Sequence, residues 1–134
     1  GAVIASLAVF AAIKSSMFSI DGDALLVGIA ATGVISGITG SSSGGLSITL
    51  EAFADQLSTM AVEQGISHET LHRLIAMASV CFDSLPHNGA VLTILLVCNM
   101  THKKSYKDIA AVTVVIPLIS LTVLVTGVYL LGGV

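Results

Sequence analysis

The sequence predicts an all-α integral membrane fold, a re-entrant helical hairpin followed by a discontinuous transmembrane helix. Three observations predict it. Of the 134 residues, 54% are hydrophobic and only 10% charged, with a mean hydropathy of +1.00, whereas soluble domains carry about 25% charged residues. A run of small and hydroxylated residues at 36–50 sits between apolar segments at 24–35 and 46–57. A later apolar stretch is interrupted by Asp83-Ser-Leu-Pro-His-Asn-Gly89. Net charge is -3, and no basic tract is interleaved with aromatics, which argues against a nucleic-acid partner.

Residues 1–13 are uniformly apolar and stop at Lys14. Alone they fall short of the roughly 20 residues needed to span, so 1–18 reads as the end of a transmembrane helix. No charged leader precedes this stretch, and the chain reads as a fragment of a longer membrane protein. Asp21-Gly-Asp23 marks an aqueous turn, with Asp23 placed to cap the next helix.

The hairpin is assigned to 24–60, with its tip at 39–45. Gly28, Gly33 and Gly37 allow close helix packing in the first arm. The tip is rich in Gly, which costs helix stability, and in Ser, which competes for backbone bonds. In a membrane, broken backbone is tolerated only where protein buries it or where it lines a watery cavity. The second arm is two-faced: Ser47, Glu51, Asp55 and Ser58 fall on one side, Leu46, Leu50, Phe53 and Leu57 on another. Each arm reads as too short to cross with the tip near mid-membrane, though two short tilted spans fit the same pattern.

Residues 61–70 read as an external loop, with Ser67 at a helix-cap position. Within 63–73, Glu63, His68, Glu69 and His72 are of metal-ligand type, but in a polar loop they read as solvated, and no metal site is expected. A helix over 71–100 is broken at 83–89, because Pro86 lacks an amide donor and disfavours helix at Leu85. Residues 101–107 hold three of the five basic residues and form a cytoplasmic loop by the positive-inside tendency. Residues 109–131 are a full span, kinked at Pro117. Cys81 and Cys98 fall in apolar runs without CxxC spacing and read as small hydrophobes.

Two broken elements carry the functional expectation. The half-helices that follow each break point free N–H groups and the positive ends of their dipoles at it. If the breaks lie at similar depth, they form an anion pocket without Lys or Arg, the arrangement of secondary transporters. The expected substrate residues are Thr39, Ser41, Ser42, Ser43, Gly44, Gly45, Pro86, His87, Asn88 and Gly89. Asp83, His87 and Glu51 are ionisable groups within hydrophobic sequence and are candidates for proton coupling. A plainer reading of the same residues makes the Gly and Ser packing residues, Asp83 a helix cap and His87 a strut.

A rival reading starts from Gly40-Ser-Ser-Ser-Gly44, which fits the G-x-S-x-G pattern, with Asp83 and His87 following in hydrolase order. It describes an intramembrane serine hydrolase or protease using Ser42 and His87. That motif requires a strand before the serine, and 28–38 is not strand-like. A purely structural membrane subunit is the third reading.

Thr39-Gly-Ser-Ser-Ser-Gly-Gly-Leu-Ser-Ile, Leu71-His-Arg73, Asp83-Ser-Leu-Pro-His-Asn-Gly-Ala90 and Thr101-His-Lys-Lys-Ser-Tyr-Lys-Asp108 together resemble the C-terminal part of the gluconate:proton symporter family, within the ion-transporter superfamily. The resemblance covers the chain from about residue 24 onward. It implies one half of an inverted-repeat transporter, with a missing N-terminal repeat and a homodimeric assembly in the cytoplasmic (inner) membrane. It further implies symport of protons with gluconate, 3-hydroxybutyrate or a related small organic anion, with no cofactor beyond the proton gradient. The Asn88 variant inclines the substrate toward a hydroxy acid smaller than gluconate.

Overall fold

The computed structural model describes Ser15 and residues 22–131. The expected helix end at 1–18 therefore lies outside the described residues, apart from Ser15. Every regular element among the described residues is helical: α1 (Ala24–Thr39), α2 (Ser42–Glu63), α3 (His68–Cys81), α4 (Gly89–Val97), α5 (His102–Ala110), a π-turn (Ala111–Val115) and α6 (Ile116–Leu131).

Local chemistry starts these helices. Asp23 accepts hydrogen bonds from the Leu25 and Leu26 amides at 2.8 and 3.4 Å, and Ser67 accepts from Thr70 at 3.1 Å. Each satisfies donors that a helix start leaves orphaned. The far ends of α1 and α2 are tied by Gln64, whose Oε1 accepts from the Ala24 amide at 2.8 Å while its Nε2 donates to the Gly22 carbonyl. This closes the base of the hairpin.

α1, α2 and α3 pack on one another around Leu25, Ile35, Phe53, Leu57, Ile75 and Cys81, and α6 adds Leu121. Gly28, Gly33 and Gly37 face α3 and the break after it, where Ile75, Phe82 and Leu85 fill the space beside them. α1 and α2 come closest at Gly45, whose added Cβ would lie 2.4 Å from the Ser36 Cα.

Four boundaries differ from the sequence expectation. Only Gly40 and Ser41 stand outside the helices at the tip, not 39–45, and α2 starts at Ser42 rather than near Gly45. Ser41 caps the helix by accepting from the Gly44 amide, and Gly45 packs directly against Ser36 of α1, which outweighs the poor helix propensity of this turn. The external loop shrinks from 61–70 to 64–67, because α2 runs on through Glu63. The expected cytoplasmic loop 101–107 is mostly helical, as α5. In place of the kink expected at Pro117 the helix has a π-turn at Ala111–Val115, ending two residues before a proline that cannot donate to the carbonyl four residues back.

His102–Leu131 is one continuous 30-residue helix with a window of mean hydropathy 2.5, of which only 6% is buried. It is long and apolar enough to cross a membrane. A soluble core helix of that composition would be covered, and this one is not. Leu130 and Leu131 on α6, and Leu96 and Val97 on α4, are likewise exposed.

Candidate functional site

The two breaks meet. Asn88, buried at 8% exposure, donates through Nδ2 to the Gly40 carbonyl in the hairpin tip and to the Asp83 carbonyl in its own break, both at 2.7 Å. Its Oδ1 accepts from the Val91 amide at 2.9 Å, capping α4. One side chain thus joins segments 48 residues apart and starts a helix.

The tip is shaped to receive it. Gly40 has φ +60, a conformation costly for any residue with a Cβ. A Cβ there would also sit 3.2 Å from the His87 ring and 3.4 Å from the Asn88 Cα. Ser41 Oγ accepts from the Gly44 amide at 3.1 Å. Each new helix therefore has its third N–H capped by the side chain of the residue just before it. The two before it, Ser42 and Ser43 on α2 and Gly89 and Ala90 on α4, have no intrahelical partner by helix geometry.

The expected site residues separate into distinct roles. Thr39 Oγ1 donates within the tip, to Ser36 and Ser41 carbonyls at 3.2 Å. Ser42 is half-buried and Ser43 exposed at the start of α2, with Ser43 Oγ 3.4 Å from Ser41 Oγ. Gly44 lies in the capped first turn, whereas Gly45 is buried against Ser36. Pro86, His87 and Gly89 are exposed around the break. Asp83 is half-buried and accepts from Ser84 Oγ at 2.8 Å.

Glu51 lines a different cavity from the one at the break. It lies nine residues along α2, about 13 Å of rise, beside Asp55 and Gln56 in a cavity of about 280 Å³. A larger cavity, about 430 Å³, runs from Asp83, Ser84 and Asn88 to Asp108, Ile109, Val112 and Thr113. Sequence reading missed Asp108 and Thr113. Both sit within a stretch divided between a loop and a span, and only the docking of the break against that helix brings them together.

Two alternatives lose ground. Ser42 follows a helix, not a strand, and among the described residues no hydrogen bond joins Ser42, His87 and Asp83 into a hydrolytic relay. The serine-hydrolase reading is therefore not supported. No three His, Cys, Asp or Glu among the described residues are placed to share a metal ion; His68 instead lies 2.8 Å from Ser58 Oγ, and Glu69 pairs with Arg73. Cys81 and Cys98 are both free, the first buried and the second exposed.

Among the described residues these features define an apolar, all-helical module, with one helix long and apolar enough to cross a membrane and two helix breaks bonded to each other. No family model matches the chain. Over 115 residues, 86% of its length, it is 43% identical to a protein of Bacillus subtilis (strain 168) named "Uncharacterized transporter YxjC". The chain covers 24% of that relative. No solved structure matches.

Proposed function

We propose that the chain is the substrate-binding half of a secondary active transporter that carries gluconate or a related small hydroxy-carboxylate inward with protons. The observation that carries this reading is the bond from Asn88 to the Gly40 carbonyl, which puts two helix starts at one place. Four unshared N–H groups and the Ser42 and Ser43 hydroxyls then suit a carboxylate and its adjacent hydroxyl without a fixed positive charge. A transporter gains from that weakness, since its ligand must leave as well as enter. The relative's name supports transport, and the uncovered helix His102–Leu131 supports a membrane setting.

In this reading 24–63 is a re-entrant hairpin and α3 with α4 is one discontinuous span. The protein is multi-pass in the cytoplasmic membrane, an N-terminal repeat completes the site, and the assembly is a homodimer. Asp83, at the wall of the larger cavity, and His87, against the tip, are the groups placed to carry protons. Glu51 remains a candidate only as an access residue on the α2 face.

Uptake into proteoliposomes of the full-length protein tests the site. Ser42→Ala should weaken hydroxy-carboxylate binding about tenfold, the factor for one hydrogen bond to a charged group. Asp83→Asn and His87→Ala should spare binding but flatten the response of uptake to an inward proton gradient. Wild-type uptake and proton dependence in all three would remove the site from this place.

Topology is tested separately. Single cysteines at Glu63 and Lys104, without Cys81 and Cys98, should label from opposite sides of the membrane. Both labelling from one side would overturn the hairpin-plus-span arrangement.

A further inference from the structure

In the break between α3 and α4, the four consecutive carbonyls of Asp83, Ser84, Leu85 and Pro86 each have a donor. Asp83 receives Asn88 Nδ2 at 2.7 Å, and Leu85 receives the Asn88 amide at 2.8 Å. Ser84 receives Tyr106 Oη at 3.2 Å, and the Pro86 carbonyl lies 3.0 Å from His102 Nε2. A carbonyl only accepts, so this last contact requires the proton on Nε2. Half of the partners that hold the break therefore come from α5, a segment whose sequence reads as a solvated basic loop.

We propose that His102 and Tyr106 are positioning residues that set the conformation of the break and, through it, the register of Asn88 against the hairpin tip. They stand one helical turn apart, with ring centroids 6.0 Å from each other, so a single face of α5 grips alternate carbonyls. Asn88 follows only two residues after the gripped Pro86. Its side chain reaches both Asp83 and Gly40 at 2.7 Å only while the intervening turn keeps its shape. Each bond ties the turn to α5, the Ser84 one at a part-buried carbonyl and the Pro86 one at an exposed carbonyl, so loss of either donor loosens the turn. Lys103, Lys104 and Lys107 are exposed on the rest of α5 and take no part in this grip.

The effect on substrate rests on the transport reading, but the effect on the break does not. A single cysteine at Leu85, half-buried between the two gripped carbonyls, reports the break directly. It is placed in the full-length protein without Cys81 and Cys98, in membrane vesicles. Reaction with a water-soluble maleimide should speed up about fivefold in Tyr106→Phe and in His102→Ala, the factor left by one lost neutral hydrogen bond. His102→Gln, whose amide can donate, should return toward the parent rate, and Lys103→Gln should match it. With Leu85 intact, Tyr106→Phe should raise the KM of anion uptake by a similar factor at unchanged Vmax. Unchanged labelling in both Tyr106→Phe and His102→Ala overturns the proposal, as does a fall in Vmax at unchanged KM. Should the parent carry no hydroxy-carboxylate, the transport reading fails while the labelling result still decides the role of α5.

Discussion

Gly45→Ala should abolish the packed hairpin. A Cβ at this position would lie 2.2 Å from Ser36 Oγ, 2.4 Å from its Cα and 2.6 Å from its amide nitrogen. Two of those three atoms are backbone, so no rotamer change relieves the contact and α1 must move away from α2. Overpacking costs typically 1–3 kcal/mol, and a backbone clash belongs at the upper end, on the order of 3 kcal/mol. Thermal unfolding of the full-length protein in detergent should show it as a large loss of stability. Ser36→Ala is the informative companion. Ser36 Oγ is buried and has no hydrogen-bond partner among the described residues, so its removal should leave stability unchanged or slightly higher. It should not rescue Gly45→Ala, because the Cα and amide contacts remain. A stable Gly45→Ala protein would show that the two arms do not meet here.

Asn88→Ala is expected to damage the construction of the site and not only its affinity. It removes the cap of α4, and it leaves the Gly40 and Asp83 carbonyls without their donor. Cap loss costs about 1 kcal/mol, and each buried acceptor left unpaired costs about another 1–3 kcal/mol. A combined loss of at least roughly 3 kcal/mol should appear in thermal unfolding, together with loss of hydroxy-carboxylate binding. Asn88→Asp separates the two functions of the side chain. A carboxylate still accepts from Val91 and suits a helix start, but it cannot donate and it faces two carbonyl oxygens. It should therefore keep α4 and lose the tip. Were Asn88 simply a ligand, both variants would unfold like the wild type while binding less anion.

The chain's own chemistry announced its helical and apolar character, since so few charges cannot cover a soluble surface. Particular helix starts were also legible. Asp23 and Ser67 lie one residue before a helix and accept from it, because capping depends on three or four adjacent residues. Pro86 marked the break for the same local reason. Other features depended on partners far away in sequence. Gly45, which disfavours helix, lies in the first turn of α2, where Ser36, nine residues before it, occupies the space a side chain would need. The sequence marks Asn88 as a candidate ligand, and only the structure shows its side-chain donors spent on the Gly40 and Asp83 carbonyls. His102 and Tyr106 looked like loop residues until the break docked on them. Capping and patterning are settled within one helical turn, whereas the pairing of broken backbone is settled only when distant segments meet.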